Sequence, residues 1–334
     1  MPHHRPCHPE AEGEGNPSIL TNLTAYLLVL LLHMKKIFSY LHSYWQETDK
    51  IVWLTAAFIT AVLVFINYYF GLNHYLNSLD ELNSFAGWYL VFLFSFSSGY
   101  ALIFTWTKQK RTFPLRFIFL LFLAPAIFAW KMVFEVDWNF SADEIRNAYL
   151  NRVIYWPFKL IIVTLILWLI WRSGKEKQPF YGLNAKDFSL RPYFIMLLIM
   201  VPLIALASTQ PDFLHTYPKL KHISFLNTSS TGVYKLIYEL SYGSDFFTIE
   251  LFFRGFLVLA FSRWFGKDAI LPMAMFYCTI HFGKPLGECI SSFFGGMILG
   301  IVTYHTRTIY GGLMVHLGIA WMMELGGYWG NMHW

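Results

Sequence analysis

Five ionisable residues stand in apolar surroundings toward the carboxy terminus. Glu250 and Arg254 lie four residues apart in "SDFFTIELFFRGFLVLAF", His281 lies in "AILPMAMFYCTIHFGKP", and His316 shares "GGLMVHLGIAWMMEL" with Glu324. A carboxylate, a guanidinium and two imidazoles are the parts needed to activate water, hold an anionic base and pass protons. At the centre of a bilayer each such group costs roughly 2.5–3.5 kcal/mol on insertion scales, so they are expected to face a bundle interior and pair. Glu250 and Arg254 have the one-turn spacing of an internal ion pair. Alone, that pair reads equally well as a packing staple, because buried ion pairs are weak evidence for anything more. A lone membrane histidine is likewise more often a hydrogen-bonded core residue. Two histidines on the helices that directly follow make convergence on one polar site the expectation.

The elements that must position these residues are membrane helices. The chain has 334 residues, 56% hydrophobic, 20% aromatic and only 13% charged, about half the charge of an average soluble domain. Several apolar runs reach the 18 or so residues that cross a bilayer core, and spanning segments that are not barrels must be helical. The fold class is therefore all-α, a polytopic transmembrane bundle with about eight spans. Spans are expected near 51–72, 85–106, 113–133, 153–172, 192–208, 246–261, 269–282, 286–304 and 309–328, with a half-span at 233–242. Residues 1–33 are read as a disordered or extension segment, with Met34 as the expected true start. Residues 34–175 form amino-terminal spans, and 180–328 hold the chemistry. Between the histidines, Gly296 and Gly300 make a GxxxG face that lets helices approach closely.

The net charge of +5 is no nucleic-acid footprint. Its residues cluster between apolar runs, as in Lys108, Lys110 and Arg111, or Lys175, Lys177 and Lys186, where the positive-inside rule places them; the amino terminus and basic loops are expected to be cytoplasmic. The partners expected are the lipid bilayer and a peptide or membrane-protein substrate, and no nucleic acid. Cys7, Cys278 and Cys289 show no CxxC spacing and are expected to be simple buried thiols.

The motifs in 180–325 resemble those of the CPBP family of intramembrane proteases, which includes the CAAX prenyl endopeptidases and the Abi proteins. The family's EExxxR, often continuing as FRG, is matched by "IELFFRG" (249–255); its FxxxH by "YCTIH" (277–281); and its His-x3-Asn by "HLGIA" (316–320). The resemblance implies a membrane endopeptidase in which Glu250 is general base, Arg254 keeps it ionised, His281 assists and His316 supports the oxyanion. It also points to a bacterial plasma membrane. An older metalloprotease label leaves a zinc ion open, since two His and one Glu make an acceptable zinc set, but the HExxH spacing is absent. No other cofactor is implied.

Three positions depart from the pattern. Ile249 replaces the first Glu, Ala320 replaces the Asn, and Tyr277 replaces the Phe, the mildest of the three. Adjacent helical residues point about 100° apart, so Glu250 cannot take over from position 249 unless the helix turns. Glu324 and Glu288 are candidate compensating acids, and Glu239 is a third if the helix runs unbroken past Gly243. Two readings follow: an endopeptidase on an unspecified peptide, nothing in the chain indicating a prenylated one, or a pseudoprotease serving as a membrane binding or scaffold protein. A transporter is disfavoured by the absence of related halves. Alternation of the loops puts Glu250 and His281 toward the non-cytoplasmic side, whereas the prenyl endopeptidases imply a site open to the cytoplasm.

Overall fold

Runs of about twenty apolar residues with few interior breakers leave the backbone one way to satisfy itself in lipid, which is to coil. The computed structural model describes residues 34–106, 113–174, 179–185, 188–226 and 231–333, and every regular element among them is helical. The expected extension 1–33, with Cys7, lies outside the described residues, as do the basic residues Lys108, Lys110, Arg111, Lys175, Lys177 and Lys186.

Helix α1 (34–47) is followed by α2 (Lys50–Phe70), short α3 (Leu72–Asn77), α4 (Glu81–Trp106), α5 (Leu115–Val133) and α6 (Glu144–Ser173). Asp49 starts α2 by accepting hydrogen bonds from the Ile51 and Val52 amides, and Gly71, at φ 70°, ends it. Then come α7 (Arg191–Ala207), α8 (Pro211–Thr216), α9 (Thr231–Glu250) with a π-helical continuation Leu251–Ala260, the single turn α10 (Ser262–Phe265), α11 (Ile270–Thr279), α12 (Leu286–Thr306) and α13 (Tyr310–His333).

Among the described residues, five helices, α2, α4, α5, α6 and α12, are long and apolar enough to cross a bilayer, and a sixth crossing results if α7 and the segment 211–223, bent 98° from it, count as one. This measure, by length and composition alone, does not reach the expected eight; α13, though 24 residues long, is not among the helices that pass it, and two further features bear on the count. The segments 233–242 and 246–261 are one unbroken helix, because Gly243 is carried within α9. Helix α11 has 10 residues, about 15 Å of rise, half of a hydrocarbon core.

The interior is an aromatic lattice. Phe92 and Phe96 of α4, Phe128 of α5, Phe252 and Phe253 of the π segment and Phe276 of α11 pack edge to face or tilted with centroids 5.0–6.2 Å apart. The amino-terminal helices thus share one core with the segments that carry the chemistry. Leu54, Phe58 and Phe65 of α2 and Leu198 and Ile199 of α7 face outward, as expected where lipid is the solvent. Gly296 and Gly300 seat α12 on α11: a Cβ at Gly296 would lie 2.8 Å from the Tyr277 ring and one at Gly300 2.7 Å from Met273.

Candidate active site

The site is built where the π segment begins. Glu250 is the last residue of α9 and Arg254 lies in the π turn that follows. The π-helix bonds i to i+5 rather than i+4 and so has a wider turn, often found at functional sites; it begins at Leu251, directly after Glu250. Both side chains are fully buried, with Arg254 Nη1 3.2 Å from Glu250 Oε1. The guanidinium also lies over the Tyr277 ring, 4.2 Å from its centroid, a desolvated cation–π contact of about 2 kcal/mol.

His316, on α13, donates from Nδ1 to the same Glu250 Oε1 at 3.1 Å, and Phe246 packs against its ring at 4.8 Å. Space for the carboxylate comes from α13 itself: a Cβ at Gly312 would sit 2.2 Å from Glu250 Oε2. Tyr277, on α11, joins the histidines. Its hydroxyl is 3.2 Å from His316 Nε2, its carbonyl oxygen 2.9 Å from His281 Nδ1, and its ring meets His281 edge-on at 4.7 Å. Glu250, Arg254 and His316 are in direct contact, and His281 joins them through Tyr277. The hydroxyl of Tyr277 is the contact that sequence reasoning passed over; the signal available was a phenol inside a motif position usually filled by Phe.

The candidate compensating acids Glu324 and Glu288 are engaged elsewhere. Glu324 accepts from the backbone amides of Lys219 and Leu220 at 2.7 and 3.2 Å, and it lies two turns beyond His316, roughly 12 Å along the axis. Glu288 accepts from the Tyr217 hydroxyl at 3.0 and 3.1 Å and faces Lys284 at 3.8 Å. Glu239 is on the same unbroken α9 as Glu250 but roughly 16 Å away along it. Ile249 is buried in the main apolar core, and Ala320 packs with Tyr242 and Phe246, so neither side chain itself offers a polar atom.

A metal ion does not fit this donor set. Among the described residues no three His, Cys, Asp or Glu side chains are placed to share one. Glu250 already answers a guanidinium, and His281 Nδ1 is committed to a carbonyl.

A second ionic cluster lies on the same helix. Asp245 meets Lys131 of α5 at 2.7 Å, and Lys159 of α6, nearly fully buried, lies over the Tyr155 ring at 3.6 Å. Cys278 and Cys289 are buried free thiols, as expected, with sulfurs 4.0 Å apart.

No curated protein and no solved structure matches the chain. Residues 244–322 match the family model described as type II CAAX prenyl endopeptidase, Rce1-like. That stretch holds Glu250, Arg254, Tyr277, His281 and His316, and over it the chain is similar to the CPBP/CAAX-protease family.

Proposed function

We propose that the chain is a membrane-embedded endopeptidase that hydrolyses a peptide bond at the Glu250, His316 and His281 site. The observation that carries this reading is the buried sequence of contacts Arg254–Glu250–His316, at 3.2 and 3.1 Å, with His281 held beside it by Tyr277. A carboxylate paired with a guanidinium and bonded to an imidazole is a proton-handling unit, and a second imidazole beside it supplies the acid–base partner that amide hydrolysis needs. The family description adds the substrate class, a peptide near a prenylated carboxy terminus. The family resemblance suggests a bacterial plasma membrane, and the positions of Lys and Arg support an amino terminus and basic loops in the cytoplasm.

A second reading, a pseudoprotease that binds membrane segments without cutting them, is favoured by the apolar surroundings of Ile249 and Ala320. The test uses purified protein in detergent and quenched-fluorescent peptides, one set with a farnesylated CAAX end and one from unprenylated membrane segments. Cleavage by wild type that is lost in Glu250→Gln and His281→Ala supports the endopeptidase. A folded wild type that cleaves neither set above the Glu250→Gln background leaves the pseudoprotease.

A further inference from the structure

Two histidines of one type occupy the site, and hydrogen bonding alone distinguishes them. A carbonyl oxygen can only accept, so the 2.9 Å contact of His281 Nδ1 with the Tyr277 carbonyl puts a proton on Nδ1. In the neutral ring this leaves His281 Nε2 bare. At His316 the ionised Glu250 carboxylate can only accept, so Nδ1 again carries the proton. Here, however, the bare Nε2 is met by the Tyr277 hydroxyl at 3.2 Å, and a phenol opposite a lone pair donates. The two rings are thus in the same tautomer, one closed off and one open.

We propose that Tyr277 is the positioning residue of this site: its hydroxyl occupies His316 Nε2 and its carbonyl leaves His281 Nε2 free, so that His281 is the group that takes the proton from water. The inference rests on the endopeptidase reading and refines it, since the fully buried Glu250 then serves as the anchor of His316. The step balances without a co-reactant. A water O–H proton passes to His281 Nε2 while the water oxygen bonds to the scissile carbonyl carbon and the C=O pair moves onto its oxygen. The same proton then passes from Nε2 to the leaving nitrogen as the C–N bond breaks. His316, linked to Glu250 and Tyr277, holds the phenol in place, and Arg254 over the phenol ring stabilises negative charge drawn onto it. Two of the three contacts that fix the arrangement come from one residue of α11, itself seated on α12 by Gly296, and the third from Glu250.

The deciding variant is Tyr277→Phe, which removes one oxygen, keeps the ring under Arg254 and keeps the carbonyl that faces His281. With a farnesylated quenched-fluorescent peptide, kcat is expected to fall about 10- to 100-fold with KM and melting temperature unchanged. Placing 3,5-difluorotyrosine at Tyr277, which restores a hydroxyl, is expected to restore turnover. Wild-type kcat in Tyr277→Phe, in a preparation where Glu250→Gln is inactive, overturns the role of Tyr277 and leaves the endopeptidase standing. No cleavage by wild type overturns both. A measurement independent of the variant's folding is solid-state NMR of wild type labelled with 15N-histidine, each signal assigned by its loss in His281→Gln or His316→Gln. Both rings are expected to carry their proton on Nδ1; a proton found on Nε2 of His281 overturns the proposal.

Discussion

Gly312 is the residue whose change most directly tests the geometry of the buried acid. It lies one turn before His316 on α13, and an added Cβ would stand 2.2 Å from Glu250 Oε2 and 3.1 Å from the carboxylate carbon. A carbon–oxygen contact settles at roughly 3.3 Å or more, so Gly312→Ala forces the carboxylate to withdraw by about 1 Å. The partners of Glu250 Oε1 stand at 3.1 and 3.2 Å, and a further ångström takes at least one of them beyond hydrogen-bond range. One charge-assisted bond is worth about 1.5–3 kcal/mol, which at about 1.4 kcal/mol per decade predicts a fall in turnover of roughly 10- to 150-fold. The comparison is Gly295→Ala on α12, where an added Cβ meets nothing within 4 Å and helix propensity alone gains up to about 1 kcal/mol. Peptide cleavage and melting temperature are measured for both in the same detergent. Gly312→Ala with wild-type turnover, or Gly295→Ala with an equal loss, would show that the carboxylate is not held against α13.

Lys131→Met should cost about 3–5 kcal/mol by stripping Asp245 of its partner, and adding Asp245→Asn should recover part of it, with a coupling of about 0.5–3 kcal/mol; unchanged melting of the single variant would refute the pair. Glu324→Ala removes the acceptor of two backbone amides and should lower stability by about 1–2 kcal/mol while leaving turnover intact. Lost turnover with intact melting would instead assign Glu324 to the chemistry. A membrane-permeant oxidant should link Cys278 to Cys289, read as one cross-linked peptide by mass spectrometry, because their sulfurs lie 4.0 Å apart; two thiols still alkylated separately after oxidation would refute that proximity.

Element positions were legible where apolar length decided them. The expected 51–72, 85–106 and 286–304 correspond to α2, α4 and α12 within a few residues. Gly243 was weighed as a helix breaker, but its bare face packs against Leu317, with a Cβ position 3.3 Å from that side chain, and packing outweighs propensity in a buried helix. The π turn after Glu250 leaves no mark in spacing, because apolar residues surround it on every side. At the site, Glu250, Arg254 and His316 were readable because charge in an apolar run has to find a partner. Tyr277 was not, since Tyr for Phe is a small change in volume and hydropathy while its effect here lies in one oxygen atom. Lys131, Lys159 and Asp245 carry the same signal of charge inside a span as Glu250 does, and their partners lie on three different helices, which one-dimensional spacing does not reveal.

The four-residue spacing of Glu250 and Arg254 also has a meaning in time. A membrane chain is delivered from its amino end, and His316 follows Glu250 by 66 residues, which at ordinary synthesis rates is a delay of very roughly three to thirteen seconds. Through that interval the carboxylate has no imidazole to meet. It does have a guanidinium on its own helix, so the costliest pair of side chains can enter the bilayer already neutralised by one another. His316 then arrives at a partner held in place, and Gly312, one turn ahead of it on the incoming helix, leaves the opening through which the two can meet.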